Sequence, residues 1–325
     1  MLQRMNKYVN LNRVEYIVTY QCSSKCVHCH VGDGSSRSPQ HIAVDFAVHL
    51  LREVGQRYAL DSVMTFGGEP LLYPEVVCAI HQTAKALNIP KRQVITNGYW
   101  TKNAAETKAI AELLAGSGVN DVSLSVDAFH QEHVPLARVK QTVTALSEAG
   151  IPKIAWNPCW LVSAQDQNVY NLKTRAILAE LQELSIPMSE GNVMMPEGRA
   201  RTYLGAYFHP LPVIEWTHMR CQDLPYMNRF DDLRTISVEP NGDIPLCKGF
   251  MLGNALQTPI HELLANYNPY ADPDMQIILN EGVAGLVYKA RSLGSDFRDQ
   301  EAYSLCDACT SVRRAIGIQK NEANR

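Results

Sequence analysis

Three thiols stand close together near the start of the chain, at Cys22, Cys26 and Cys29, separated by three residues and then by two. A single loop with this spacing can turn three sulfurs onto one face of a metal cluster, and three are too few to close a four-iron cube. One iron is then open to a substrate or cofactor, as a catalytic zinc keeps an open position, whereas a fourth thiolate would seal the centre. A partial zinc site or three unrelated buried cysteines fit the spacing too. Further on, Val63-Met64-Thr65-Phe66 has the character of a strand and runs into Gly67-Gly68-Glu69-Pro70. Glycines there would let backbone carbonyls approach an ammonium group, and the Glu69 carboxylate would add an acceptor of opposite charge.

A second set of thiols follows later: Cys221, Cys247 and the pair in Cys306-Asp307-Ala308-Cys309. Four thiolates complete a tetrahedral site, which geometry alone would give to zinc or to an iron-sulfur cluster. Cys247 closes an expected hairpin in which residues 235–240 and 243–247 flank Asn241-Gly242, a two-residue turn signal. Cys78, among Val76, Val77 and Ile80, reads as a small buried hydrophobe. Cys159, in Asn157-Pro158-Cys159-Trp160, follows a strand and could donate a hydrogen atom or simply pack.

To position these groups the chain supplies alternating strands and helices. Strand-like runs recur at Val14 to Tyr20, Ser62 to Phe66, Gln93 to Thr96, Asp121 to Val126, Lys153 to Trp156 and Asn192 to Met195. Between them, Ile42, Phe46 and Leu50 share one helical face, and so do Val76, Ile80 and Ala84 behind Pro74. A third helix runs from Asn103, a good N-cap, through Ile110 and Leu114 to a stop at Gly116. Val139, Val143 and Leu146 lead to Gly150 in a fourth, and Leu178 and Leu181 mark a fifth. Such alternation implies a parallel sheet with right-handed crossovers, curled into a barrel or open and doubly wound. In both, chemistry collects at the carboxyl ends of the strands, where the cysteine loop, Gly67-Gly68-Glu69, Asn97 and Ser125 all fall.

With 325 residues, 46% of them apolar, the chain can fill a large core plus an appendage, expected here as residues 1–205 and 206–325. A net charge of −3 offers no basic field for nucleic acid, and no Lys/Arg cluster suggests a membrane surface. The opening Met1 to Tyr8 lacks the apolar core of a signal peptide, and no long apolar run follows. A cytoplasmic location is expected, where nine cysteines suit metal ligation better than disulfides.

The unbroken CxxxCxxC at Cys22, Cys26 and Cys29, together with Gly67-Gly68-Glu69-Pro70, resembles the radical SAM superfamily. The resemblance implies a partial (β/α)6 TIM-like barrel in an α/β fold and S-adenosylmethionine (SAM) as cofactor. It also implies a 4Fe-4S cluster on the three cysteines, with Gly67, Gly68 and Glu69 gripping the methionine amine. By the same resemblance Ser125 and Arg138 would meet the methionine carboxylate, Asn97 would lie near the ribose, and Arg199 would line the SAM site. His28 stands where the family usually has an aromatic residue and would lie near the adenine. The later cysteines, with Gly242-x4-Cys247 ahead of the CxxC, resemble the twitch domain, a reduced form of the SPASM extension. That implies a small α+β domain in which Cys221, Cys247, Cys306 and Cys309 hold an auxiliary 4Fe-4S cluster, two clusters in all, with structural zinc the alternative.

The activity so implied is reductive cleavage of SAM to a 5′-deoxyadenosyl radical, which takes hydrogen from a substrate carbon. An external donor such as flavodoxin or ferredoxin would supply the electron. Asn97-Gly98-Tyr99-Trp100 and Asp127-Ala128-Phe129-His130 look like stretches of epipeptide epimerases, so a ribosomally made peptide is the expected substrate. Lys248 stands beside Cys247 where a donor thiol would be sought, which tips the expected outcome from epimer towards oxidised product and leaves Cys159 as the possible donor. No segment of winged-helix size precedes Val14, so the peptide would be gripped by the barrel mouth or delivered by another protein. A small-molecule natural-product dehydrogenase would show the same cysteines. A non-catalytic iron-sulfur sensor would not need Gly67-Gly68-Glu69-Pro70.

Overall fold

The computed structural model of the protein describes residues 6–31, 40–224, 227 and 229–323; Met1 to Met5 of the opening lie outside them. The first half alternates as its periodicity demands: β1 (Val9–Thr19), α1 (Val44–Gly55), β2 (Ser62–Gly67), α2 (Pro74–Ala86), β3 (Lys91–Thr96), α3 (Ala104–Ser117), β4 (Asp121–Ser125), α4 (Leu136–Glu148) and β5 (Lys153–Asn157). The strands pair in parallel in the order β5-β4-β3-β2-β1. Val63, Val94, Val122 and Leu124 are fully buried, which is why these strands read as apolar runs and not as clean alternation. Val76, Ile80 and Ala84 are likewise sealed beneath α2, where truncating a residue such as Ile80 to Ala would cost roughly 2–5 kcal/mol. Asn103 caps α3, its side chain accepting from the Ala105 and Glu106 N–H groups. The helix passes the expected stop at Gly116 and ends instead at Gly118, whose φ of 94° is the left-handed geometry that closes a helix.

Past β5 come β6 (Cys159–Trp160), α5 (Val169–Glu180), β7 (Asn192–Val193) and α6 (Gly198–Leu204). The sixth strand expected over 192–195 shrinks to β7, which pairs with β6, after a single bridge from Trp156 to Met188. Val193 and Met195 stay half exposed, and Pro196 has no N–H for a longer ladder.

Then follow β8 (Leu211–Pro212), β9 (Leu233–Val238), β10 (Asp243–Cys247), β11 (Phe250–Asn254), α7 (Ile260–Asn266), α8 (Pro273–Glu281), α9 (Val283–Ser292), β12 (Glu301–Ala302) and α10 (Leu305–Ala323). β9 lies parallel to β1, pairing Val14 with Ile236 and Tyr16 with Val238, and is the sixth strand of the central sheet. A boundary at 205/206 therefore does not separate the hydrogen-bonded units, because the outer edge of β1 takes its partner from beyond it. The Asn241-Gly242 turn forms, with the Glu239 N–H donating to Asp243 O at 2.9 Å, yet it does not join the two arms of a hairpin. β9 pairs with β1, and beyond the turn β10 pairs antiparallel with β11, Asp243 opposite Asn254 and Cys247 opposite Phe250. Tyr16, Val238, Ile244, Phe250, Leu264, Leu286 and Val312 belong to one apolar cluster. Among the described residues no helix is long and apolar enough to cross a membrane.

Candidate functional site: two cysteine centres at one end of the sheet

The first cysteine loop leaves β1 and is pressed against the end of β2. A Cβ on Gly67 would fall inside the radius of the Thr19 carbonyl oxygen, and one on Gly68 inside that of Gln21. The Gly68 N–H donates to Thr19 O and the Glu69 N–H to Gln21 O, both at 2.8 Å. The glycines, expected to admit an ammonium, thus admit the chain that leads into Cys22. Glu69 is braced from within the protein. Its side chain is fully buried; Oε1 accepts from the Leu71 N–H at 3.0 Å and the Thr96 hydroxyl at 2.7 Å, and Oε2 from the Asn97 N–H at 2.8 Å. Three of about four acceptor positions are spent inside the protein, because the end of β3 presents donors that no other group satisfies. Burial pushes this carboxyl up to about 7, and the three donors hold it from rising further.

Asn97 extends the same brace. Its Oδ1 accepts from the Tyr99 N–H at 2.8 Å, while Nδ2 donates to Ser23 Oγ at 3.1 Å and stands 3.6 Å from Cys22 Sγ. It pins the cysteine loop, where proximity to a ribose was expected. Arg199 grips the loop from the other side: its N–H donates to Cys29 O at 2.9 Å, Nε to Cys26 O at 3.1 Å and Nη2 to Lys25 O at 3.2 Å. Gly198, at φ 54°, has no room for a Cβ beneath the Cys29 and His30 carbonyls. So Arg199, expected to line the SAM site, holds the loop's backbone carbonyls.

Beyond β4, Asp127 organises the mouth. It is fully buried; Oδ1 accepts from the Phe129 and His130 N–H groups, and Oδ2 from the Cys159 N–H at 3.1 Å and His130 Nδ1 at 2.8 Å. Burial works against its charge, but His130 outweighs that and holds the carboxyl at about 2. The ring of His28 lies 4.9 Å from Phe129 and 4.7 Å from His130, and burial with the neighbouring His130 lowers it to about 3, so it is neutral. One ligand atom each from His28, Asp127 and His130 comes within 4.8 Å of the others. Four donors already occupy the Asp127 carboxylate, which makes it the group that orients His130 and not a vacant metal ligand. The Cys159 thiol sits near Cys26 and Asp127; burial first, and then those two groups, push it well up, so it keeps its S–H. The Cys26 thiol is raised by burial, then by Asp127, then by Cys22 and Cys29. Three free thiols without a disulfide are a donor set that suits a cationic cluster.

Ser125 ends β4, half-buried, opposite Asn157 of β5. Arg138 points along its own helix, Nη1 donating to Gln141 Oε1 at 2.9 Å, and is not drawn into the cysteine site. The members of the second set lie within electrostatic reach of one another, Cys221, Cys247 and Cys306 all acting on Cys309. Cys221 opens a short turn, Cys247 ends β10, and Cys306 and Cys309 lie in the first turns of α10. Burial pushes Cys309 up to about 12, with Cys221 and Cys247 adding to it; burial, then Cys221, carries Cys306 to about 11.

A family model for the radical SAM superfamily matches residues 16–163. Over those residues the chain carries a radical SAM domain. A GTP 3′,8-cyclase of Pseudomonas fluorescens strain Pf0-1 is 23% identical over 60% of this chain and 60% of its own. A probable GTP 3′,8-cyclase of Methanocaldococcus jannaschii is 26% identical over 35% of this chain and 36% of its own, so the chain aligns with about a third of the length of the curated relatives matched first. The solved structure of native anSMEcpe with bound AdoMet superposes with a TM-score of 0.52 at 14% identity, covering 96% of this chain and 99% of that one, and has the same fold. The family matched over these residues implies SAM and a 4Fe-4S cluster. Sequence reasoning passed over Asp127, His130, Glu197 and Lys248 as site residues. The Asp-x-x-His spacing at 127–130 was a usable sign, since an aspartate two or three residues ahead of free N–H groups caps them.

Proposed function

We propose that this radical SAM enzyme modifies a ribosomally made peptide, with SAM and a 4Fe-4S cluster at Cys22, Cys26 and Cys29 and an auxiliary 4Fe-4S cluster at Cys221, Cys247, Cys306 and Cys309. Bound at the first site, that cluster with SAM on its open iron supplies, once reduced by a flavodoxin or ferredoxin, a carbon radical that removes hydrogen from the substrate. The chain's own part is to hold the loop by Asn97 and Arg199, to bury the site under His28 and Phe129, and to keep Cys159 as a thiol. The single observation carrying this reading is that two separate thiol groups are each brought within electrostatic reach: Cys22 and Cys29 act on Cys26, and Cys221, Cys247 and Cys306 on Cys309. The names of the curated relatives favour a second reading, a small substrate such as GTP. Three cations beside the cysteine sites are held within the protein: Arg199 by loop carbonyls, Lys248 by Glu197 and Arg201 by Asp307.

Anaerobic reconstitution should give about eight irons, following three plus four thiolates. Replacing Cys22, Cys26 and Cys29 together by Ala should remove about half of them and abolish 5′-deoxyadenosine. Normal SAM cleavage in that variant would end the reading. Zinc at the second site would end the auxiliary-cluster part of it. A GTP-dependent burst of 5′-deoxyadenosine with no peptide present would transfer the conclusion to the small-molecule reading.

A further inference from the structure

The stretch Glu197-Gly198-Arg199-Ala200-Arg201 touches both cysteine centres. Towards the first, Arg199 donates to the Cys29 and Cys26 carbonyls at 2.9 and 3.1 Å, with Gly198 seated under Cys29 and His30. Towards the second, Glu197 Oε2 meets Lys248 Nζ at 2.6 Å, directly after Cys247, and Arg201 Nη1 meets Asp307 Oδ1 at 3.0 Å, between Cys306 and Cys309. Glu197 is only 11% exposed, and its other oxygen is buried with no hydrogen-bond partner. A carboxylate placed so is costly unless a cation is held at it.

We infer that Glu197, Arg199 and Arg201 are positioning residues that set the first cysteine loop against the second centre, so that filling the second centre strengthens SAM binding at the first. The inference rests on the reading that both centres hold metal. An occupied second site fixes Cys247, Cys306 and Cys309, and with them Lys248 and Asp307. Those two ion pairs anchor both ends of a five-residue segment whose middle grips the Cys26 and Cys29 carbonyls. With the second site empty, nothing ties Cys247 of β10 to Cys306 and Cys309 of α10, the anchors are free to shift, and the loop loses its fixed geometry.

The test uses the iron-reconstituted full chain. Glu197→Gln with Arg201→Gln should retain about eight irons yet bind SAM about tenfold more weakly, the usual size of coupling between sites. The change that SAM causes in the electron paramagnetic resonance spectrum of the first cluster should shrink in parallel. Cys306→Ala with Cys309→Ala should weaken SAM binding by the same factor, and all four changes together should be no worse than either pair. Exchanging the charges, Glu197→Lys with Lys248→Glu, should recover affinity that Glu197→Lys alone loses, which a general loss of fold would not do. Wild-type SAM affinity in the Gln pair with both clusters present, or losses that multiply when combined, would overturn the inference. Zinc at the second site would end the auxiliary-cluster reading but leave this test intact, since the coupling asks only that the site be filled. A wild-type protein with four irons and no second metal would end both.

Discussion

Glu69→Gln separates a carboxylate that faces inward from one that faces a ligand. All three of its hydrogen bonds come from donors fixed in the protein, so either orientation of the substituted amide sets one of its N–H groups against the Asn97 or the Leu71 N–H. An unsatisfied buried donor costs about 1–3 kcal/mol. The wild-type side chain carries an opposite liability. Its folded pKa of about 7 lies above the ordinary 4.5, so the folded chain keeps this proton to higher pH than the unfolded chain does. Stability from this group is fully present below pH 4.5 and is lost as pH rises to 7, by about 3 kcal/mol. The Gln variant lacks that dependence. Urea unfolding of the metal-free protein at pH 5 and pH 8 should therefore show a destabilisation by Glu69→Gln that is about 3 kcal/mol larger at the lower pH; other titrating groups cancel in the difference. A destabilisation independent of pH, accompanied by weakened SAM binding, would mean that the carboxylate faces the ligand and that the brace described here is wrong.

Gly68→Ala should cost the first cluster and about half of the iron while sparing the second, because the new Cβ collides with the Gln21 carbonyl; full iron content would refute the close approach. Asp127→Asn should remove stability present above pH 3.8 and lost as pH falls to 2, about 2 kcal/mol, read as a smaller pH dependence of acid unfolding than in wild type. Cys159→Ala should leave 5′-deoxyadenosine formation intact and abolish any product that gains one deuterium in D2O; if a deuterated epimer survives, another group is the donor. A peptide product lighter by two hydrogens, with no deuterium at carbon, is the outcome expected of an enzyme that passes an electron to its second centre.

The two cysteine groups were legible because they are defined by residue type and spacing, and the sheet because apolar periodicity follows from burial. What sequence could not convey was the direction of side chains near the site. Glu69, Asn97 and Arg199 all fall beside the first cysteine loop, as the motifs implied, but each turns to backbone groups whose need for partners exists only once β1, β2 and β3 lie side by side. Arg138 shows the converse: its helix was foreseen, its pairing with Gln141 was not. β9 was read as one arm of a hairpin because a turn signal is local, whereas the vacancy beside β1 that claims it is a property of the whole sheet.

That vacancy has a consequence for how the protein is made. The edge of β1 cannot be covered until Leu233–Val238 has been synthesised, an interval of roughly 10–40 s at ordinary translation rates. Until then a row of unpaired N–H and C=O groups stands open, a template for pairing with another chain. A fragment ending at residue 205 should therefore sediment as aggregates, while one extended through Val238 should remain dispersed, and the nascent chain is a natural client for a chaperone that shields strand edges.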